Sequence, residues 1–475
     1  MKNKIFGALG LGLLALGLAS CGESSGDGNT PSKTARTFEV PEEFDTETPV
    51  TVTFWHTMGD NLQKPLNEAI TAFKTFYPNV TIEHQQVGGY NDVRSQIITN
   101  IGTKGYPTMA YCYDDHVALY NEAQITVPLN NLQSDSKYGL GGSEVKFKSI
   151  APKADDIIAG FRTSTSTFGD GNIYTMPFLR STEALFYNKT FFTEHNLTVP
   201  TTWDELWATC AKIKEIDPAS TPLGYDSDSN LFITLAECYG YDYTTSNGED
   251  AEDHFLFNNE GMRGLLKDLK GYYDKGYFTT QAIYGGYTNT LLTDVSLQSK
   301  AYMTVGSTAG ATYQANGDGA FETGVAALPH GKNTKTISQG PSLVFFNKTN
   351  KQETLAAWLF TQFLLTPTVQ AAFALVSGYL PVTTPATQVP AYTEFLQGAA
   401  GNKVGIAALT TKQALAQAAS YFTSPVFVGS SVARDEVGNL IANIMQKTTA
   451  DDTLEQQIKK YFDDAIDECV YQSED

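Results

Sequence analysis

From Val50 onward the apolar residues keep changing their period, and this constrains the fold more than any other feature. Val50, Val52 and Phe54 alternate with Thr51 and Thr53, the two-residue repeat of a half-covered strand. Trp55-His56-Thr57-Met58-Gly59-Asp60 interrupts the repeat as a loop. Leu62, Leu66, Ala69, Ile70, Phe73 and Tyr77 then share one helical face, which Pro78 closes. Val80 and Ile82 open a second strand that ends at Gly88-Gly89, and Val93, Ile97, Ile98 and Ile101 line a second helix. This order calls for a mainly parallel sheet covered by helices. Open sheets of that kind take ligands at the carboxyl ends of their strands.

The pattern continues along the chain. Leu185-Phe186-Tyr187 reads as extended, and Thr202-Trp203-Asp204-Glu205 is a capping box that starts a helix. Strands are expected at 301–305, 325–328 and 342–346. Helices are expected through Leu355, Trp358, Leu359 and Phe363, and from about Leu454 to Val470.

The first 21 residues, MKNKIFGALGLGLLALGLASC, have a different logic. Lys2 and Lys4 precede an apolar run, Phe6 to Leu18, that is too short and glycine-rich for a stable membrane span. Residues 1–20 therefore read as an export signal. The L-A-S-C ending resembles the lipobox of bacterial lipoproteins, which implies acylation of Cys21. Two or more acyl chains hold a protein to a membrane where one does not. Residues 21–48 are rich in Gly, Ser, Asp, Thr and Glu without an apolar face, so they are expected to be a flexible tether.

Composition narrows the partners. The net charge is -20 and the pI about 4.7, with no basic cluster, which argues against nucleic acid. A local pocket charge can still oppose the global field, so an anionic small ligand stays open. The body carries no further apolar run of membrane length, so contact with a membrane is expected through the lipid anchor only. Beyond Cys21, Cys112, Cys210, Cys238 and Cys469 lack metal-ligand spacing. Cys210 with Cys238 is the nearest candidate disulfide, and free buried thiols fit equally well.

Three segments in succession carry a family resemblance. They are Gly171-Asn172-Ile173-Tyr174-Thr175-Met176-Pro177, then Leu185-Phe186-Tyr187-Asn188-Lys189, then Pro200-Thr201-Thr202-Trp203-Asp204-Glu205-Leu206. With Ala301-Tyr302-Met303, Gly324 to Pro329 and Ser377-Gly378-Tyr379-Leu380-Pro381, their order and spacing resemble the solute-binding proteins of ABC importers. The resemblance implies an α/β, two-lobed periplasmic-binding-protein-like fold (type II). Each lobe would be a mainly parallel sheet flanked by helices, with the ligand cleft between lobes. Lobe 1 would comprise 49–182 plus 345–385, and lobe 2 would comprise 183–344 plus 386–475. A monomer without cofactor or metal is expected, working with the permease subunits of an importer at the cell envelope.

In detail the chain is similar to the sn-glycerol-3-phosphate-binding branch. Gly89-Tyr90, Asp114 after Tyr111-Cys112-Tyr113, and Pro177-Phe178-Leu179-Arg180-Ser181-Thr182 match positions that touch ligand there. So do Ser307, Gly340 and Tyr379, and Arg434 matches the phosphate-binding arginine across a one-residue gap. The resemblance thus implies ligand binding by Tyr90, Asp114, Ser181, Ser307, Gly340, Tyr379 and Arg434. The residue types suit a glycerol phosphate: guanidinium, hydroxyls and a backbone N–H for the anion, a carboxylate for the diol. Asp114 replaces a glutamate and is one methylene shorter. Arg180 either supplies a second cation or points to solvent. The alternative for Ser307 is a strand-end cap, and for Ser181 a turn hydroxyl.

Other functions leave little trace. Gly306-Ser307-Thr308-Ala309-Gly310 has threonine where a nucleophile elbow needs its nucleophile, and Gly331-Lys332-Asn333 is no P-loop. The six histidines are scattered. The expectation is therefore a capture protein, not an enzyme. Its rivals are the same fold on a mono- or oligosaccharide, an exported glycosidase or phosphodiesterase, and an adhesion lipoprotein.

Overall fold

A computed structural model describes residues 36–162, 168, 170–316, 319–398, 403–447 and 453–474. The export signal, Cys21 and the first part of the tether lie outside the described residues.

Ten strands make two five-stranded sheets. They are β1 (Val50–His56), β2 (Val80–Gln86), β3 (Met109–Cys112), β4 (Thr175–Pro177), β5 (Glu183–Asn188), β6 (Leu223–Tyr225), β7 (Phe278–Thr280), β8 (Met303–Ser307), β9 (Thr323–Ala326) and β10 (Ser342–Phe345). The first sheet runs β2-β1-β3-β10-β4 and the second β9-β5-β8-β6-β7. In the first, β10 alone is antiparallel to its neighbours. In the second, β5 alone is antiparallel. Each sheet is thus mainly parallel, and its single reversed strand is the one the chain enters on crossing from the other sheet.

The local reasons are those the sequence offers. In β1 the core-facing side chains Val50, Val52 and Phe54 are buried while Thr51 is exposed. The helix Asp60–Phe76 buries Leu66, Ala69 and Phe73 against that sheet. At the start of the helix Trp203–Ile216, Thr202 Oγ1 accepts from Glu205 N at 3.2 Å and Glu205 Oε2 accepts from Thr202 N at 3.3 Å. Such a reciprocal cap satisfies two otherwise orphaned donors, worth about 1 kcal/mol.

Each sheet has its own core. Phe54, Phe73, Phe178, Phe345 and Trp358 anchor the first, and Trp203, Phe232, Phe257 and Phe462 the second. Burying one such side chain contributes about 1.5–3 kcal/mol. The helix Lys351–Leu364 is buried almost all round, as a core helix is. Among the described residues no single helix is long and apolar enough to cross a membrane.

Three segments pass between the sheets, side by side. Ser181 and Gln339 exchange backbone hydrogen bonds at 2.7 and 2.8 Å. Leu380–Pro381 pairs with Leu179–Arg180. Gly340 sits in this bundle at φ +120°, where a Cβ would come within 2.7 Å of Leu179 O and 2.9 Å of Arg180 Cα. A side chain there meets both strain and backbone.

Two boundaries depart from the sequence reading. Residues 36–48 are packed against the first lobe. Phe38 and Val40 lie on its core, Phe44 is buried, and Phe44 N donates to Tyr138 Oη at 2.8 Å. Three apolar residues spaced through a polar stretch suffice to seat it, so any tether ends by residue 35. Ser342–Phe345 pairs wholly in the first sheet, so residues 342–344 leave the second lobe. The four cysteines of the body are free and buried, and Cys210 and Cys238 form no disulfide.

Candidate ligand-binding cleft

A cavity opens where the two sheets face each other across the crossing segments. Tyr113, Asp114 and Asp115 come from the end of β3 in the first lobe. Arg180 and the stretch from Ile337 to Gly340 come from the crossings. Ile233, Tyr243, Ser430 and Arg434 come from the second lobe, with a loop from Thr423 to Val426. The space between them is about 610 Å³, including its mouth. The helix Ser430–Lys447 packs against Asp114–His116, so both lobes meet at the cavity.

On the first wall, Asp114 follows the carboxyl end of β3. Its Oδ1 accepts from Thr175 Oγ1 at 2.8 Å, and Oδ2 lies 3.5 Å from Arg180 Nη2. Burial raises the Asp114 pKa, and Arg180, Thr175 and Ser342 pull against that rise. Arg180 is only 1% exposed. Its Nη1 donates to Gly340 O and Pro341 O at 3.1 and 3.2 Å, and Nη2 to Ser342 Oγ at 2.9 Å. Burial lowers its pKa and the Asp114 carboxylate opposes this. The solvent-facing reading of Arg180 is therefore overturned: it ties the crossing segments to the first wall.

Beside this pair stands an aromatic group. Tyr90 begins the helix Tyr90–Thr99 and stacks on Tyr113, with centroids 4.1 Å apart and planes inclined by 18°. Burial, then the neighbouring Tyr379, Tyr113 and Tyr111, push its pKa up. The Tyr90 hydroxyl is buried and lies against the Tyr379 hydroxyl.

On the second wall, Arg434 projects from the first turn of Ser430–Lys447. Its Nη2 donates to Asn230 Oδ1. With the Gln339 amide turned so that both its ends are satisfied, Gln339 Oε1 accepts from Arg434 Nη1 at 3.1 Å and Nη2 at 2.8 Å. Arg434 is thus held by two neutral amides. Beneath, Asn230 Nδ2 donates to Glu183 Oε1 at 2.9 Å, and Tyr225 Oη donates to Glu183 Oε2 at 2.8 Å. Glu183 is 3% exposed, and burial raises its pKa to about 7.

Of the residues singled out from sequence, Asp114, Gly340 and Arg434 line the cavity, and Tyr90 and Tyr379 stand behind Tyr113. The two serines do not line it. Ser181 is buried and bridges Gln339 through its backbone. Ser307 is exposed at the end of β8, where its Oγ accepts from Ala309 N at 3.2 Å and caps Thr308–Gln314. The sequence reading missed Glu183, Asn230 and Gln339. Glu183 stands just after the matched Ser181-Thr182, a buried-strand carboxylate that could have been flagged; Asn230 and Gln339 carry no local signal. Among the described residues no group of three or more His, Cys, Asp or Glu is placed to hold a metal.

A family model for bacterial extracellular solute-binding proteins matches residues 68–398, well over half of the chain. The chain belongs to that family. These solute-binding proteins are exported and serve ABC importers. Among its relatives is the sn-glycerol-3-phosphate-binding periplasmic protein UgpB of Yersinia pestis bv. Antiqua (strain Antiqua). It is 25% identical over 385 residues, covering 77% of this chain and 81% of that protein. In fold the chain is similar to UgpB of Mycobacterium tuberculosis, solved in complex with glycerophosphocholine. The TM-score is 0.69 at 18% identity, over 88% of this chain and 98% of that one. It is also similar to the GacH receptor of Streptomyces glaucescens GLA.O, solved unliganded and with acarbose. The TM-score there is 0.67 at 19% identity, over 89% and 99%. This solute-binding protein therefore has the two-domain fold common to all of these.

Proposed function

We propose that this solute-binding protein captures glycerol-3-phosphate or a glycerophosphodiester by closure of its two lobes and delivers it to the permease subunits of an ABC importer. One observation carries the reading: Arg434 borders the cavity and is hydrogen-bonded to the neutral amides of Asn230 and Gln339, while Glu183 and Asp435 act on it only through space, so no ion pair occupies its guanidinium. A charge-assisted bond of this kind contributes about 1.5–3 kcal/mol. The names of the relatives agree: one binds sn-glycerol-3-phosphate and another was solved with glycerophosphocholine.

In this reading the Gly340 N–H completes the anion site, Asp114 takes the diol with its remaining lone pairs, and the hydroxyls of Tyr90 and Tyr379 join them once closure brings them past Tyr113. Ser181 and Ser307 would reach the ligand only if closure turns them inward. The lobes are 49–182 plus 342–385, and 183–341 plus 386–475. Ligand favours the closed form only by the contacts that both walls make together. No chemical step is needed. Acylation of Cys21 would hold the protein to the envelope, at the periplasmic or cell-surface side, as a monomer.

Thermal melts of the full chain with glycerol-3-phosphate, glycerophosphocholine and maltose test this. A ligand at about 100 times its Kd adds about 2.7 kcal/mol. Stabilisation by either phosphate and none by maltose is expected. Stabilisation by maltose alone would transfer the site to sugars, whose stacking surface is the Tyr90–Tyr113 pair. Turnover of a phosphodiester beyond one equivalent would make the protein an enzyme.

A further inference from the structure

Glu183 is a carboxyl group without a place in the binding scheme. It starts β5, is 3% exposed, and lies one residue away from Arg434 through Asn230. Asn230 accepts from the guanidinium with its oxygen and donates to Glu183 with its nitrogen, so one amide joins the two charges. The groups that act on Glu183 are few. Tyr225 and Asn230 donate to it, Arg434 favours its charged form, and the neighbouring Asp226 disfavours it. Asp226 is itself held by Thr288 N and Thr288 Oγ1 at 2.6 and 2.7 Å.

Two states of this network follow from elementary electrostatics. With Glu183 ionised, Arg434 faces a carboxylate behind it and an anion in front, and the two anions compete for one cation. With Glu183 protonated, that competition is gone and more of the field of Arg434 falls on the ligand, the neighbouring Asp435 sharing the rest. We propose that Glu183 is a positioning residue that couples anion binding at Arg434 to uptake of a proton. The coupling rests on the reading of Arg434 as the anion site. Its place near neutrality follows from burial, which lifts the Glu183 pKa to about 7. Arg434 holds that value down, so neutralising Arg434 with a ligand raises it further.

Calorimetric titration in buffers of different ionisation enthalpy counts the protons exchanged. The full chain is titrated with glycerophosphocholine, whose phosphodiester keeps one charge across the range, and with glycerol-3-phosphate after allowing for its own ionisation near pH 6. Uptake of a fraction of a proton per ligand is expected at pH 7 to 8. Affinity should weaken about ten-fold between about pH 6 and pH 9. In Glu183→Gln both effects should vanish, leaving affinity flat with pH. Binding without proton uptake in the wild-type protein, or uptake that survives Glu183→Gln, overturns the coupling while leaving the anion site standing. Failure of both phosphates to bind overturns the anion site, and the coupling with it. Should Glu183→Gln fail to fold, a carboxyl carbon NMR titration of the wild-type protein decides. The Glu183 midpoint must rise on adding ligand, and an unmoved midpoint rejects the proposal.

Discussion

Each wall of the cleft contains an arginine, and the two are held in opposite ways. Arg180 lies among carbonyls, a serine hydroxyl and the Asp114 carboxylate, wholly inside the protein. Arg434 is gripped by the amides of Asn230 and Gln339, and its side chain borders the cavity. The first charge is consumed in holding the crossing segments to the first wall. The second is oriented without being neutralised. A neutral amide orients a guanidinium less strongly than a carboxylate does, but leaves its field for something else.

The largest effect should come from the consumed charge. Arg180→Met strands Asp114 beside a buried serine and breaks the ties to Gly340 and Pro341. Removing one partner of a buried pair costs about 3–5 kcal/mol. Urea unfolding should show that loss, and Asp114→Asn in the same chain should restore much of it. A loss below about 1 kcal/mol would mean that the pair does not bear on the hinge.

The two lobes should also respond to pH with opposite signs. In the first, Met58 N donates to His56 Nδ1 at 3.1 Å, so the His56 proton sits on Nε2, which donates to His84 Nδ1 at 2.9 Å. Burial, then His84, lowers the His56 pKa to about 4. A depressed histidine contributes stability above its unfolded value of 6.5, lost as pH falls toward 4. Glu183 in the second lobe has the reverse sign. Raised from 4.5 to about 7, it contributes stability below 4.5 that is lost as pH rises through 7. Each limb is worth on the order of 3 kcal/mol. The two limbs overlap between pH 4.5 and 6.5, where their slopes cancel, so the wild-type urea midpoint should vary little between pH 4 and 7. His56→Phe should leave a fall from pH 4.5 to 7, and Glu183→Gln a rise from pH 4 to 6.5. A wild-type midpoint that climbs by the whole histidine limb would show that Glu183 stays ionised in the fold.

The free charge should act on ligand more than on fold. Arg434→Met is expected to weaken phosphate binding by about 1.5–3 kcal/mol, ten-fold or more, with a smaller change in melting temperature than Arg180→Met. Calorimetry and melts on the two variants measure both terms. An Arg434→Met protein that binds phosphates as tightly as before would reverse the comparison between the arginines.

The fold was legible because it rests on local periods. Val50, Val52 and Phe54 set one face of a strand, and the Thr202–Glu205 box set a helix start, whatever the rest of the chain did. The cleft was legible only in part. Asp114, Gly340 and Arg434 were reached through the family resemblance, not through local chemistry. The state of Arg180 was not legible, since its partners come from residues 114 and 340–342, brought together by two separate crossings. The same holds for Glu183, whose partners Tyr225 and Asn230 lie about forty residues downstream. Ser307 shows the local alternative: its hydroxyl accepts from the backbone N–H two residues ahead and caps the turn that follows.

The smallest effect concerns Tyr90, and its two components differ in size. The hydroxyl is buried with the Tyr379 hydroxyl as a weak neighbour, so losing it costs the free protein little. Tyr90→Phe keeps the ring on Tyr113 and removes that hydroxyl, so the free protein should be nearly unchanged. If the hydroxyl finds its partner in the bound phosphate or diol, the same change should weaken binding by about 0.5–1.5 kcal/mol, the worth of a neutral hydrogen bond. A melt without ligand and a calorimetric titration with glycerophosphocholine read the two components separately. A variant that is less stable but binds equally well would reduce Tyr90 to a packing ring. The first wall would then contribute to the ligand through Asp114 and the aromatic surface alone, and recognition would fall almost wholly to the wall that holds Arg434.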